Sequence, residues 1–232
     1  MDSTLETPRL RLIRLTDTSD NSQHLQWFHQ LWNDDATTAW SLHGKCHTIQ
    51  QSQQWMTKQM TEMDNILYAV FVKSDTSEAD PSNPGELVGN VGLRLQKEGP
   101  YLPPSPPPQD STFAVLKPET AAPGSTPGEA PAKSLNLRAL GYAYFQSAWG
   151  KGYGTEAGRA VIDAYAASIA EKQKEGEETF YIEATWDKDN PASKKVLTKL
   201  GFFEVGWLVE TEPIFLAGAW RDPGQWIWGL YL

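Results

Sequence analysis

Residues Trp149-Gly-Lys-Gly-Tyr-Gly-Thr-Glu-Ala157 lie between an apolar run, Leu137–Phe145, that reads as a strand and a segment, Thr155–Lys172, that reads as a helix. Within the second segment Ala157, Ala160, Val161, Ala164, Tyr165 and Ile169 recur at helical spacing on one face. Glycines let a backbone turn sharply and approach a ligand closely. The first amides of a helix lack intrahelical partners and carry partial positive charge, so such a turn is a ready site for a phosphate or pyrophosphate. Lys151 adds a charge at its rim. A Walker A loop needs Ser or Thr after Gly-Lys, whereas Lys151 is followed by Gly152; a dinucleotide fingerprint counted from Gly150 needs glycine where Thr155 stands. What remains is a turn closed by Gly152 and Gly154, either around a phosphate or as a tight connection with no ligand.

Toward the C-terminus, Thr179–Trp186 reads as a strand and Pro191–Leu200 as a helix, with Asn190 available as its cap, Pro at its first position and Gly201 as its stop. Phe202–Thr211 and Gln225–Leu232 read as closing strands. Toward the N-terminus, Arg9–Leu15, Asn65–Val72 and Glu86–Leu95 read as strands, and Ser22–Trp32 and Ile49–Met63 as amphipathic helices. Asn33–Thr48 is read as an irregular connection and Ser74–Gly85 as a hairpin loop. Gly99–Ser134 holds ten of the sixteen prolines, a composition that cannot pair regularly in a sheet or pack a core. It is expected to be a loop insertion at about 99–134 within one domain spanning 1–232, and such a segment also suits a partner that binds proline-rich ligands. The order of elements indicates an α+β fold, an α/β sandwich with a mixed, mostly antiparallel sheet flanked by helices.

Composition narrows the function further. A chain of 232 residues, 40% hydrophobic, is long enough for one sizeable core. Its formal charge is −9 and no basic cluster is visible, so a nucleic-acid partner is not expected, and an acidic balance favours a cationic acceptor such as an amine. A single cysteine, Cys46, excludes an intramolecular disulfide; no secretory leader or membrane span is evident, and a cytoplasmic location is expected. His43, Cys46 and His47 supply three possible metal ligands without a fourth, so no metal is expected.

The two principal motifs, WGKGYGTEA and Asn190-Pro-Ala-Ser-Lys-Lys-Val-Leu-Thr-Lys-Leu-Gly-Phe202, occur in this order. Glu6-Thr-Pro-Arg-Leu-Arg-Leu12, Gly89-Asn-Val-Gly92 and Gly141-Tyr142 accompany them. With these features the chain resembles the GNAT superfamily of N-acetyltransferases, and within it the ribosomal-protein-alanine (RimJ/RimL-type) branch. The resemblance implies the GNAT fold, with two parallel strands, Leu137–Phe145 and Thr179–Trp186, splaying apart to admit acetyl-CoA as co-substrate. It implies that backbone groups near Tyr144, Phe145 and Gln146 hold the pantetheine. The amides of Gly150, Lys151, Gly152, Tyr153, Gly154 and Thr155 would cradle the pyrophosphate, and Asn190 would reach the pantetheine or a water. Many members carry a Tyr acid seven residues after the motif Asn; Leu197 stands there, and Ser193 is the candidate instead, with helix capping as its other reading. Glu212 is the candidate base, on the strand after Phe202, with Glu210 and Glu183 behind it. Trp40 and His43, with His47 near them, are candidates for the acceptor site. The implied activity is acetyl transfer to a primary amine of a small molecule or a protein N-terminus. The Leu at 197 and the proline-rich insertion are also compatible with a non-catalytic CoA-binding or interaction module.

Overall fold

A computed structural model of the chain describes residues 1–73, 83–102, 134–175 and 178–232. Most of the proline-rich stretch and most of Ser74–Gly85 therefore lie outside the described residues. Among the described residues, ten strands and five α-helices follow in the order β1 (Thr4–Glu6), β2 (Leu10–Arg14), α1 (Gln23–Trp32), α2 (Asp35–Thr38), α3 (Ile49–Thr61), β3 (Ile66–Val72), β4 (Glu86–Leu95), β5 (Ser134–Tyr144), α4 (Tyr153–Glu175), β6 (Glu178–Trp186), α5 (Pro191–Leu200), β7 (Phe203–Val209), β8 (Ile214–Leu216), β9 (Ala219–Arg221) and β10 (Gly224–Tyr231).

Eight strands form one sheet in the order β1-β2-β3-β4-β5-β6-β10-β7, and β8 and β9 form a separate hairpin. Every pairing in the large sheet is antiparallel except β5 with β6. The period-2 alternation of strand side chains divides β3 between two cores. Ile66, Tyr68 and Val70 join Val161, Ile162 and Ile169 of α4 and Leu197 and Leu200 of α5 on one face. Leu67, Ala69 and Phe71 join Leu25 and Phe28 of α1 and Met56 of α3 on the other. A strand buried on both faces reads as a continuous apolar run, which is what Ile66–Val72 is.

The helix ends follow local rules. The Ser22 hydroxyl accepts from Leu25 N at 3.1 Å, and Thr48 and Gln51 form a reciprocal capping box. α5 has the expected bounds, with Pro191 in its first turn and Gly201 at φ +90° closing it. Several boundaries differ from the sequence reading. α4 begins at Tyr153, two residues before Thr155, because Gly152 at φ +82° completes the turn and leaves Tyr153 and Gly154 helical. β7 ends at Val209, so Glu212 lies outside it, next to Pro213, which has no N–H for a strand ladder. The connection after α1 contains the short α2, and the β8–β9 hairpin separates the two closing strands.

Candidate active site

The ladder between β5 and β6 starts at Ser134/Glu178 and stops at Ala139/Glu183. Beyond that point β5 stays with β4, out to Tyr144/Gly89, while β6 stays with β10, out to Trp186/Trp226. Leu140–Tyr144 and Ala184–Trp186 therefore face each other without pairing. Backbone donors and acceptors that leave a ladder seek other partners. The opening lies between the two strands for which the resemblance implies a splay.

Glu183 stands at the closed end of this opening and is 1% exposed. Phe180, Ile182 and Ala184 belong to the core under α4 and α5, so alternation turns Glu183 to the opposite face. There the Tyr101 N–H lies 3.1 and 3.2 Å from its two carboxylate oxygens. Burial pushes its pKa up to about 7, against the lowering effect of the Tyr101 and Leu102 N–H groups. Leu102 also covers β7: its Cδ1 would lie 3.2 Å from a Cβ at Gly206.

The other face carries a hydroxyl pair. Tyr142, in the freed part of β5, shares a hydrogen bond of 2.8 Å with Ser193 in the first turn of α5. Burial drives the Tyr142 pKa up to about 12, offset in part by the Ser193 hydroxyl. The sequence reading named Tyr142 in the Gly141-Tyr142 motif but gave it no role in the site. Its place two residues before Tyr144 on one strand face was legible, but its pairing with α5 was not. The Asn190 side chain accepts from Ser193 N at 3.2 Å, so the capping reading of that residue holds in this structure.

The glycine turn lies at the open end. A single 3₁₀ turn, Gln146–Ala148, leads to Trp149, whose indole N–H donates to Tyr144 O at 2.8 Å with the ring half exposed. Gly150 and Gly152 adopt φ +75° and +82°, where a side chain is strained. The first N–H groups of α4 have no i−4 carbonyl within the helix and point out of its N-terminal end. A Cβ at Gly154 would meet Tyr144 at 3.4 Å, so the backbone here is pressed against the strand end. These features fit a diphosphate on the turn and an extended chain along the freed edge of β5.

The N-terminal segment braces this turn. Thr7 Oγ1 donates to Glu156 at 2.6 Å, Arg9 N donates to the same carboxylate at 3.0 Å, and Arg9 Nε donates at 2.7 Å. Arg9 also donates to Lys151 O at 2.9 Å and lies over the Tyr153 ring at 4.9 Å. Burial raises the Glu156 pKa, but these donors outweigh it and hold the carboxyl below the usual range. No sequence signal pointed to Arg9 as part of the turn.

The candidate acceptor residues lie on the α1–α3 side. His43 stacks on Trp55 at 3.9 Å and meets Trp32 edge-on, and burial, then Lys58, lowers its pKa. Its Nε2 is 3.6 Å from Cys46 Sγ. Trp40 carries the Arg221 guanidinium over its ring at 4.9 Å, and Ala217 N donates to Ala39 O at 2.8 Å. The β8–β9 hairpin is thus fixed to this segment. Glu212 is exposed, in a surface cleft with Glu210, Phe215 and Trp220. Among the described residues it forms no hydrogen bond or ion pair with Glu183 or Ser193, and neither lines its cleft. Among the described residues no helix is long and apolar enough to cross a membrane.

A family model described as an acetyltransferase (GNAT) domain matches residues 9–203. Solved structures share the fold. The ribosomal-protein-S5-alanine acetyltransferase from Vibrio fischeri is 17% identical, with a TM-score of 0.60 and coverage of 99% of this chain and 97% of that one. Mycobacterium smegmatis RimJ in complex with CoA-disulfide is 16% identical, with a TM-score of 0.60 over 98% of this chain and 85% of that one. The microcin C7 self immunity acetyltransferase MccE, in complex with acetyl-CoA and AMP, is 14% identical, with a TM-score of 0.57 over 97% and 94%. At these identities the likeness is one of fold.

Proposed function

Because this chain belongs to the GNAT family of acetyltransferases and is an acyltransferase, we propose that it moves an acetyl group from acetyl-CoA to a primary amine by direct attack. The observation that carries this reading is the end of the β5–β6 ladder at Glu183, with a buried carboxylate on one face of the opening and the Tyr142–Ser193 pair on the other. Acetyl-CoA supplies an activated acetyl group and a thiolate leaving group. The amides from Gly150 to Thr155 and the charge of Lys151 receive its diphosphate. Backbone N–H groups at Tyr144 and Gln146 hold the extended pantetheine, with Asn190 at its side; Phe145, expected to share this role, instead donates its N–H to Val88 O at 3.0 Å and accepts from Ala148 N at 2.9 Å.

Glu183 accepts the proton that the amine loses as its nitrogen bonds to the acetyl carbon. A carboxylate with a pKa near 7 suits this task at neutral pH, since a base works best when its pKa is close to the operating pH. As the carbon–sulfur bond breaks, Ser193 gives a proton to the departing thiolate. Tyr142 holds the Ser193 hydroxyl in place and can refill it through their hydrogen bond. Backbone N–H groups freed from the ladder polarise the thioester carbonyl. Glu212, outside β7 and exposed, is left for acceptor recognition, as are Trp40 and His43.

The ribosomal-protein-alanine acetyltransferase among the similar folds supports a polypeptide N-terminus as acceptor. The test is a screen of short peptides and small amines with acetyl-CoA, reading free thiol release together with acceptor mass. Thiol release matched by one acetyl per acceptor is expected. Tight CoA binding with no transfer to any amine would overturn the reading.

A further inference from the structure

The β8–β9 hairpin presents its aromatic side chains to solvent. Phe215 and Trp220 are directly opposed across the two strands, with ring centroids 5.5 Å apart in an edge-to-face arrangement. They remain 57% and 71% exposed. Aromatic rings bring large apolar area, and adjoining exposed apolar side chains rimmed by polar residues are a feature of recognition surfaces. The two rings join Glu210 and Glu212 around an open cleft of about 430 Å³.

The hairpin is a rigid platform. Its tip, Ala217-Gly218, has φ +49° and +77°, the backbone of a two-residue turn with positive φ at both positions. Ala217 in that region is strained, and its N–H is tied to Ala39 O at 2.8 Å. Arg221 lies over Trp40 and pairs with Asp189 in the β6–α5 connection. The hairpin is therefore held by its Arg221 face to both the candidate acceptor segment and the loop that precedes Ser193, while Phe215 and Trp220 lie on its other face.

We propose that this cleft binds a Lys or Arg side chain of the acceptor polypeptide, lying several residues behind the N-terminal amine that is acetylated. Aromatic faces attract cations and carboxylates pair with them, so rings and carboxylates together match a basic side chain, as the net charge of −9 also does. The sheet sets the distance. Glu183 is opposite Gly229 on β10, and Val209, next to Glu210, is opposite Gly224. Five residues at about 3.4 Å each along the strand, combined at right angles with two strand spacings of about 4.8 Å, place the cleft roughly 20 Å from Glu183. A small amine cannot reach both. An extended peptide covers that span in about six residues, so the preferred basic residue lies near position six or seven.

The inference rests on the reading of Glu183 as the reacting end, and the experiment separates the two. Peptides of ten residues with a neutral body carry a single Lys moved from position two to position nine. KM is measured for each, and binding is followed independently by tryptophan fluorescence against the Trp220→Phe protein. A tenfold lower KM with Lys near position six or seven is expected, with most of the advantage lost in Trp220→Ala and in Glu210→Gln/Glu212→Gln, and weakened by salt. A KM independent of Lys position overturns the inference, as does an equal effect of the variants on Lys-bearing and Lys-free peptides. Self-association that Trp220→Ala abolishes overturns it too, since the rings would then be covered by a second copy. Peptides that bind with the Lys preference but are never acetylated would leave the cleft standing and remove the reaction instead.

Discussion

Tyr142 and Ser193 are joined through their hydroxyls at 2.8 Å, linking the freed end of β5 to the first turn of α5. Neither the strand nor the helix needs this bond, since Asn190 already caps α5. Ser193→Ala is expected to lower kcat about a hundredfold, the low end of what a positioned acid contributes. Tyr142→Phe, which keeps the ring and removes the oxygen, should cost about tenfold, and KM for acetyl-CoA should hold in both. Groups in one network are not additive, so the double variant should be no slower than Ser193→Ala alone. A fully multiplicative loss in steady-state kinetics would show that the two act separately.

Arg9 binds Glu156, the Lys151 carbonyl and the face of Tyr153 at once. Left alone, the Glu156 carboxylate would oppose a diphosphate on the neighbouring turn. Arg9→Met should therefore raise KM for acetyl-CoA about fivefold, corresponding to ~1 kcal/mol for a half-exposed ion pair. Turnover at saturation should be nearly unaffected. Isothermal titration with CoA checks the binding half of this expectation directly.

Gly229 on β10 leaves room for the buried ring of Tyr181. A Cβ there would stand 1.7 Å from the Tyr181 hydroxyl. Gly229→Ala should destabilise the protein by about 1–3 kcal/mol, the range for overpacking, and a lowered thermal midpoint would report it. Because β10 is the outer support of β6, the variant should also loosen the Glu183 site.

The frame of the site was readable from WGKGYGTEA and NPASKKVLTKLGF, because glycines, a helix-starting proline and a capping Asn act locally. The bounds of β4 and α5 were likewise legible. What escaped was set by distant contacts. Tyr142 was one residue of the Gly141-Tyr142 motif, with no role, until α5 packed beside it. Arg9 looked like a strand residue until β2 lay next to α4. Glu212 looked like a strand carboxylate because Phe202–Thr211 alternates well enough to continue, yet the strand ends at Val209 and the hairpin takes over. Glu183, one of three carboxylates weighed, is singled out by burial at the end of the parallel ladder, which no local pattern encodes.

Glu183 also couples stability to pH. Its folded-state pKa of about 7 lies above the ordinary 4.5. Its contribution to stability is thus full below the ordinary value and is lost as pH rises through about 7. Glu183→Gln cannot ionise, so its thermal midpoint should fall less than that of the wild type between pH 5 and pH 8. Parallel melting curves across that range provide the check.

The most direct test of the account is the pH dependence of kcat/KM for wild type and Glu183→Gln, with an aliphatic amine acceptor whose own titration lies well above neutrality. The wild-type profile, corrected for the free-amine fraction, should rise with an apparent pKa near 7 and then level off. The variant should be slower by about a hundredfold or more and should lack that rise. A Glu183→Gln enzyme that keeps both the wild-type rate and the rise near pH 7 would contradict the assignment of Glu183 as the base.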